Sequence, residues 1–201
     1  MGEHSVAYYQ STVEENDPAA SYYSENGTNP PTVWLRGEEP AAVERIEQYL
    51  GVRDGKRIEG RAVTGWFNKA LAPSGVSLGS ALRPNGVPGF DLTFCAPKSV
   101  SLLWGFGNEN DIREIVDQAH HNAVSQALDY LSDHAGYTRR QVNDRQGKRM
   151  IIERLVGISG VKYEHRTSRA GDPHVHSHVL LANKQLCRDG KPRTRWYESL
   201  P

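Results

Sequence analysis

The chain has 201 residues, 37% of them hydrophobic, with 24 Lys and Arg set against 24 Asp and Glu. That length can bury the core of one domain, and the apolar content lies above the disordered class. No apolar run reaches transmembrane length, and there is no signal-peptide core. Val6 stands where a myristoylation signal needs Ser or Thr, which excludes that anchor. Cys95 and Cys187 are far apart and have no CxxC neighbour, so the expectation is a reducing, cytoplasmic compartment and no disulfide framework.

The neutral balance hides an asymmetry. Residues 1–135 carry 10 Lys and Arg against 18 Asp and Glu, whereas residues 136–201 carry 14 against 6. A basic C-terminal third suits a polyanionic partner.

In chain order, two tyrosine pairs come first, Tyr8-Tyr9 and Tyr22-Tyr23, spaced 14 residues apart. They are expected on one or two short helices, with Asp17-Pro18 as a helix start. Residues 26–37 read as turn-like, ending in Val-Trp-Leu. Pro40 to Leu50 reads as a helix through Ala42, Val43, Ile46 and Leu50, and Val63 to Leu71 as a shorter one around Trp66 and Phe67. Residues 72–89 are rich in Gly, Pro and Ser and read as an internal loop. Gly89 to Phe94 is an alternating strand, with Phe90, Leu92 and Phe94 on one face and Asp91 and Thr93 on the other. Pro97 then suits the start of a helix.

Asp111 to His134 gives the clearest helical signal, with an apolar stripe at Ile112, Ile115, Val116, Ala119, Ala123, Ala127 and Leu131. His120, His121 and His134 read as ordinary positions on it. Tyr137 to Asn143 and Arg149 to Ser159 read as strands around Gln146-Gly147. Arg188 to Lys191 reads as a hairpin turn before Thr194.

The stretch from Val161 to Asn183 carries the chemistry. Two extended segments flank a Gly-Asp-Pro turn. On a strand, residues two apart share a face, so His176 and His178 lie side by side and His174 can continue the row. Val161, Tyr163 and His165 share a face of the other segment, so three imidazoles can converge. Neutral imidazoles suit Zn, Mn, Ni or Co, and Mg less tightly. Three ligands leave positions open for water or substrate oxygens, as a Lewis-acid site requires. Such a cation can stabilise a phosphodiester transition state, with water or a hydroxyl as attacker. A tyrosine attacker has an ordinary pKa near 10 and needs a cation or a base such as Asp91 beside it.

Gly-Phe-Asp91-Leu-Thr-Phe-Cys-Ala-Pro-Lys98-Ser-Val-Ser resembles the Asp-Leu-Thr-Phe-Ser-Ala-Pro-Lys-Ser-Val-Ser signature of conjugative relaxases of the MobF type. His165-Arg-Thr-Ser, followed by Asp-Pro-His-Val-His176-Ser-His178, resembles the metal motif of the HUH endonucleases. With the tyrosine pairs, the likeness runs from about Ala7 to Trp196. It implies an α+β fold, a central antiparallel sheet flanked by helices and related to ferredoxin-like palms, in a single domain spanning residues 1–201. It also implies site- and strand-specific nicking of single-stranded DNA at an origin of transfer in plasmid conjugation, with accessory relaxosome proteins as further partners.

Carried over residue by residue, Tyr8 is the nucleophile that forms a 5′-phosphotyrosyl link. Tyr22 or Tyr23 serves the second strand transfer, with Tyr9 a weaker candidate. His165, His176 and His178 hold the cation, nominally Mg or Mn, and His174 stays outside the set. Asp91 takes the phenol proton or orients a metal-binding imidazole. Only seven residues precede Tyr8 and the chain stops at Pro201, so the expectation is a domain trimmed at both ends with no helicase domain following. The alternative expectations are a rolling-circle replication initiator of the HUH class and a non-catalytic DNA-binding remnant.

Overall fold

The central element is an antiparallel pair, β5 (Gly157–Thr167) against β6 (Pro173–Ala182). The computed structural model describes residues 31–81, 86–107, 110–145, 147–168 and 170–194. In chain order the other elements are β1 (Thr32–Gly37), α1 (Pro40–Leu50), α2 (Gly60–Lys69), β2 (Gly89–Cys95), α3 (Lys98–Phe106), α4 (Asn110–Ala135), β3 (Tyr137–Asp144), β4 (Gly147–Arg154), β7 (Lys184–Leu186) and β8 (Pro192–Thr194). The main sheet has four antiparallel strands in the order β1-β5-β6-β2. β3–β4 and β7–β8 each form a separate two-stranded sheet. The fold class is α+β, as expected. No helix among the described residues is long and apolar enough to cross a membrane.

Both faces of the sheet are packed, because alternate residues of its inner strands are apolar on each side. Val33, Leu35, Val161, Tyr163, Leu180 and Ala182 pack with Ile46 and Leu50 of α1 and with Trp66 and Phe67 of α2. Trp34, Ile158, Val179 and Leu181 pack on the other side with Val124 and Leu128 of α4. A smaller cluster joins Trp104 of α3, Val116 of α4 and Val175 of β6. The helices follow their local signals. Pro40 occupies the first turn of α1, and Gly51 closes it in the left-handed region at φ 66°.

Several expectations need correction. The turn-like reading of residues 26–37 missed β1, whose Val33, Trp34 and Leu35 are all buried. A strand covered on both faces shows no alternation, so its period-2 signal is absent. Arg149 to Ser159 is not one strand. It breaks at Leu155-Val156, which separates β4 from β5 and places them in different sheets. The described residues between Ala72 and Pro88 form no helix or strand, and this loop is anchored by Ala72 and Leu78, which sit in the core. On α4 the buried stripe runs through Val116, Val124, Leu128 and Ser132, with the half-buried His120 between the first two, one residue beyond the alanine stripe. Ile115 is 66% exposed. Two stripes one residue apart compete, and the one with larger apolar side chains wins although a histidine interrupts it. The tyrosine pairs, with the helices expected for them, lie outside the described residues.

Gly160 lies where three strands meet, paired with Trp34 of β1 and Leu181 of β6. A Cβ there would press into the Leu180 carbonyl, backbone that cannot swing aside. Gly160→Ala is therefore expected to cost about 1–3 kcal/mol of stability, read as a lower urea midpoint with native helicity retained. An unchanged midpoint would contradict this packing.

Candidate metal centre

β5 and β6 bring the three predicted imidazoles together. His165 pairs directly with His176 across the two strands, and Tyr163 pairs with His178. Direct cross-strand partners share a face, as do residues two apart on one strand. The ring centroids stand 5.0 Å apart for His165–His176, 5.4 Å for His165–His178 and 5.3 Å for His176–His178. The triangle shares its sheet face with Leu180 and Ala182, which pack under α1 and α2.

Hydrogen bonds fix two of the rings. His176 Nδ1 lies 2.8 Å from its neighbour's carbonyl, His174 O. His178 Nδ1 lies 3.2 Å from Asp91 Oδ1 and 3.1 Å from Thr93 Oγ1. A carbonyl and a carboxylate only accept, so both Nδ1 atoms carry a proton. The Nε2 of His165 is buried and, among the described residues, has no hydrogen-bond partner. A buried nitrogen of this kind is costly unless something fills its lone pair.

Burial, followed by the neighbouring imidazoles, pushes His165 down to about 4. Burial is likewise the main cause that brings His176 down to about 4, although its bond to the His174 carbonyl works the other way. Both rings are therefore neutral at pH 7, the form that binds a cation.

These residues fit a divalent cation. Three imidazoles sharing one ion through bonds of about 2.1 Å at near-tetrahedral angles place their centroids roughly 5 Å apart. Among the described residues no group of three or more His, Cys, Asp or Glu side chains meets the full geometry for holding a metal ion, so the fit rests on the ring spacing and on the buried Nε2 of His165. His174 stands 4.5 Å from His176, ring to ring, and its carbonyl serves the site by holding His176. Tyr8, Tyr9, Tyr22 and Tyr23 lie outside the described residues.

The reverse face of the same strands is polar and tightly paired. Lys162 meets Glu164 at 2.7 Å, and Arg166 meets Asp117 of α4 at 3.0 Å. Burial alone would raise the Glu164 pKa, but Lys162 and Arg166 outweigh it and hold the carboxyl below its ordinary value. Ser177, between the two histidines in sequence, is 1% exposed and meets His120 Nε2 at 3.0 Å. His120 was read from sequence as an ordinary helix position. Its i+4 spacing from Val116 and to Val124 was the available signal for the packed face. Thr93 was also missed as a partner of His178, though its place two residues beyond Asp91 puts it on the same face.

The depressed histidines have a pH consequence. Unfolded imidazoles take up protons near 6.5, whereas His165 and His176 in the fold do so only near 4. The unfolded state therefore binds more protons between those values, and stability falls as pH drops through that window. The contribution is complete above about pH 6.5 and gone below about pH 4. Urea unfolding of metal-free protein is expected to show this loss, with a shallower slope in His165→Gln. An identical slope in the variant would contradict the assignment.

Comparison with known proteins agrees with this architecture. The family model described as TrwC relaxase matches residues 2–200. The Multifunctional conjugation protein TraI of Escherichia coli is 38% identical over 96 residues, covering 48% of this chain and 5% of that protein. Its counterpart in strain K12 is 35% identical over the same length. Among solved structures, metal-free conjugative relaxase TrwC with OriT DNA is 25% identical with a TM-score of 0.58, covering 88% of this chain and 55% of that one. A copper-bound TrwC complex, 22% identical with a TM-score of 0.63, covers 96% and 57% and shares the fold. The chain thus spans a small fraction of the curated relatives and a little over half of the solved ones. On the match across nearly its whole length, the chain belongs to the TrwC relaxase family, a MobF-type conjugative relaxase domain.

Proposed function

We propose that this chain nicks one DNA strand at an origin of transfer and transfers it through a tyrosyl ester, acting in the cytoplasm during plasmid conjugation. The observation that carries the reading is the triangle of imidazoles beside Asp91. The family match supports it, as do relatives solved with OriT DNA, one of them with a 27-mer comprising a recognition hairpin and the cleavage site. His165, His176 and His178 would hold the cation, Mg or Mn in this reading. Bound there, it would polarise the scissile phosphate and offset the charge that builds in the transition state.

This chain's own groups do the rest. Tyr8 supplies the phenol oxygen that bonds to phosphorus as the bond to the 3′-oxygen breaks. The phenol gives up its proton and the departing 3′-oxygen ends as a hydroxyl, so the link conserves the bond energy for rejoining. Tyr22 or Tyr23 would serve the second transfer. Asp91 orients His178, given its 3.2 Å contact with Nδ1, in preference to acting as the base for the phenol.

Affinity would come from basic groups. The β3–β4 ribbon stands outside the main sheet and exposes Arg145, Lys148 and Arg149 around its turn. A two-stranded ribbon fits a DNA groove, and each phosphate contact adds salt dependence. Arg145→Ala with Lys148→Ala is expected to reduce the slope of log affinity against log salt by about 2. An unchanged slope would remove the ribbon from the interface.

The deciding experiment incubates the protein with single-stranded origin oligonucleotides and Mn, followed by a denaturing gel. A covalent adduct is expected, and Tyr8→Phe should abolish it. Binding without an adduct in cation-loaded protein would refute the strand-transfer reading.

A further inference from the structure

The start of β6 is the weakest-laddered part of the site, yet it carries His174 and His176. The β2–β6 pairing ends at Cys95↔His176. On the other side the β5–β6 register shifts between His165 and Thr167. The backbone at His174-Val175 therefore lies where one ladder stops and the other slips. Helix α3 takes over there. Lys98 Nζ donates to the Pro173 carbonyl at 3.0 Å and pairs with Asp172. Val175 N–H donates to Ser101 Oγ at 3.1 Å, while Ala96 N–H donates to the Val175 carbonyl at 2.9 Å.

One peptide group joins these contacts to the imidazole. Val175 N–H and His174 C=O belong to the same planar unit, so fixing one fixes the other. The N–H end is held by Ser101 Oγ, and the C=O end accepts from His176 Nδ1 at 2.8 Å. Ser101 is fully buried at 0% exposure. Its own hydroxyl hydrogen goes to the Pro97 carbonyl at 3.3 Å, which leaves a lone pair for Val175.

We propose that Ser101 is a positioning residue that acts through the His174–Val175 peptide to hold His176 as the Nδ1–H tautomer, with Nε2 turned toward the cation. The inference rests on the reading of His176 as a cation ligand. Outer partners of this kind orient ligating histidines and change cation affinity by about 10–100-fold when removed.

Two measurements test it. Long-range ¹H–¹⁵N NMR on metal-free protein reads the His176 tautomer directly. Wild type should show a single Nδ1–H form, and Ser101→Ala a mixture of the two. Ser101→Cys offers a weaker acceptor at nearly the same volume and carries the test if the alanine variant does not fold; it should show the same mixture. Co(II) titration followed by visible absorption should then show affinity weakened about 10-fold or more in either variant. A native tautomer with affinity within twofold of wild type would overturn the proposal. So would weaker affinity with the tautomer intact, since that marks a packing effect. Wild-type protein that takes up no Co(II) would refute the cation reading, and the metal-free NMR comparison would still decide the role of Ser101.

Discussion

The register of β5 against β6 is the constraint on which the rest depends. It sets His165 opposite His176 and, by the period of the strand, puts His178 on the same side. A slip of one residue would turn the β6 imidazoles to the face that carries Val175, Ser177 and Val179. The register is specified because both faces of both strands are committed. Val161 and Leu180 belong to one core and Ile158 and Val179 to the other, and Gly160 admits the close passage of its neighbours. Burying apolar surface therefore does the work of aligning polar groups that would not align themselves.

The same two strands divide their length between stability and chemistry. Toward Ala182 they are apolar on both faces and covered by helices. Toward Pro173 polar groups enter both faces, with imidazoles on one side and the Lys162–Glu164–Arg166 row beside the buried Val175 on the other. Paired charges behind the site compensate burial that would otherwise be costly. They hold the strand to α4 through Asp117, and His120 adds a contact at Ser177. The signature block from Asp91 to Ser101 wraps this end: its strand part meets His178 and its helical part grips the start of β6.

Sequence reading found what periodicity and chemistry make visible locally. His176 and His178 two apart, His165 across a turn and Asp91 on an alternating strand were all legible, and each falls where its period puts it. β1 was not legible, because a doubly covered strand has no polar face. The true stripe of α4 was hidden by an adjacent row of alanines and by His120, a polar residue facing inward toward Ser177. Ser101 closes the quoted signature, but periodicity gave its role no signal, since it acts through a peptide unit 74 residues away. Only the resemblance to relaxases, and not periodicity, suggested the tyrosines as nucleophiles and DNA as substrate.

The central claim is that three Nε2 atoms serve one cation. An anomalous difference map from crystals soaked in Mn tests it most directly. One peak is expected within coordination distance of the Nε2 atoms of His165, His176 and His178, with Asp91 and the His174 carbonyl still on the Nδ1 side of His178 and His176. A peak bound elsewhere, or none at saturating Mn, would contradict it.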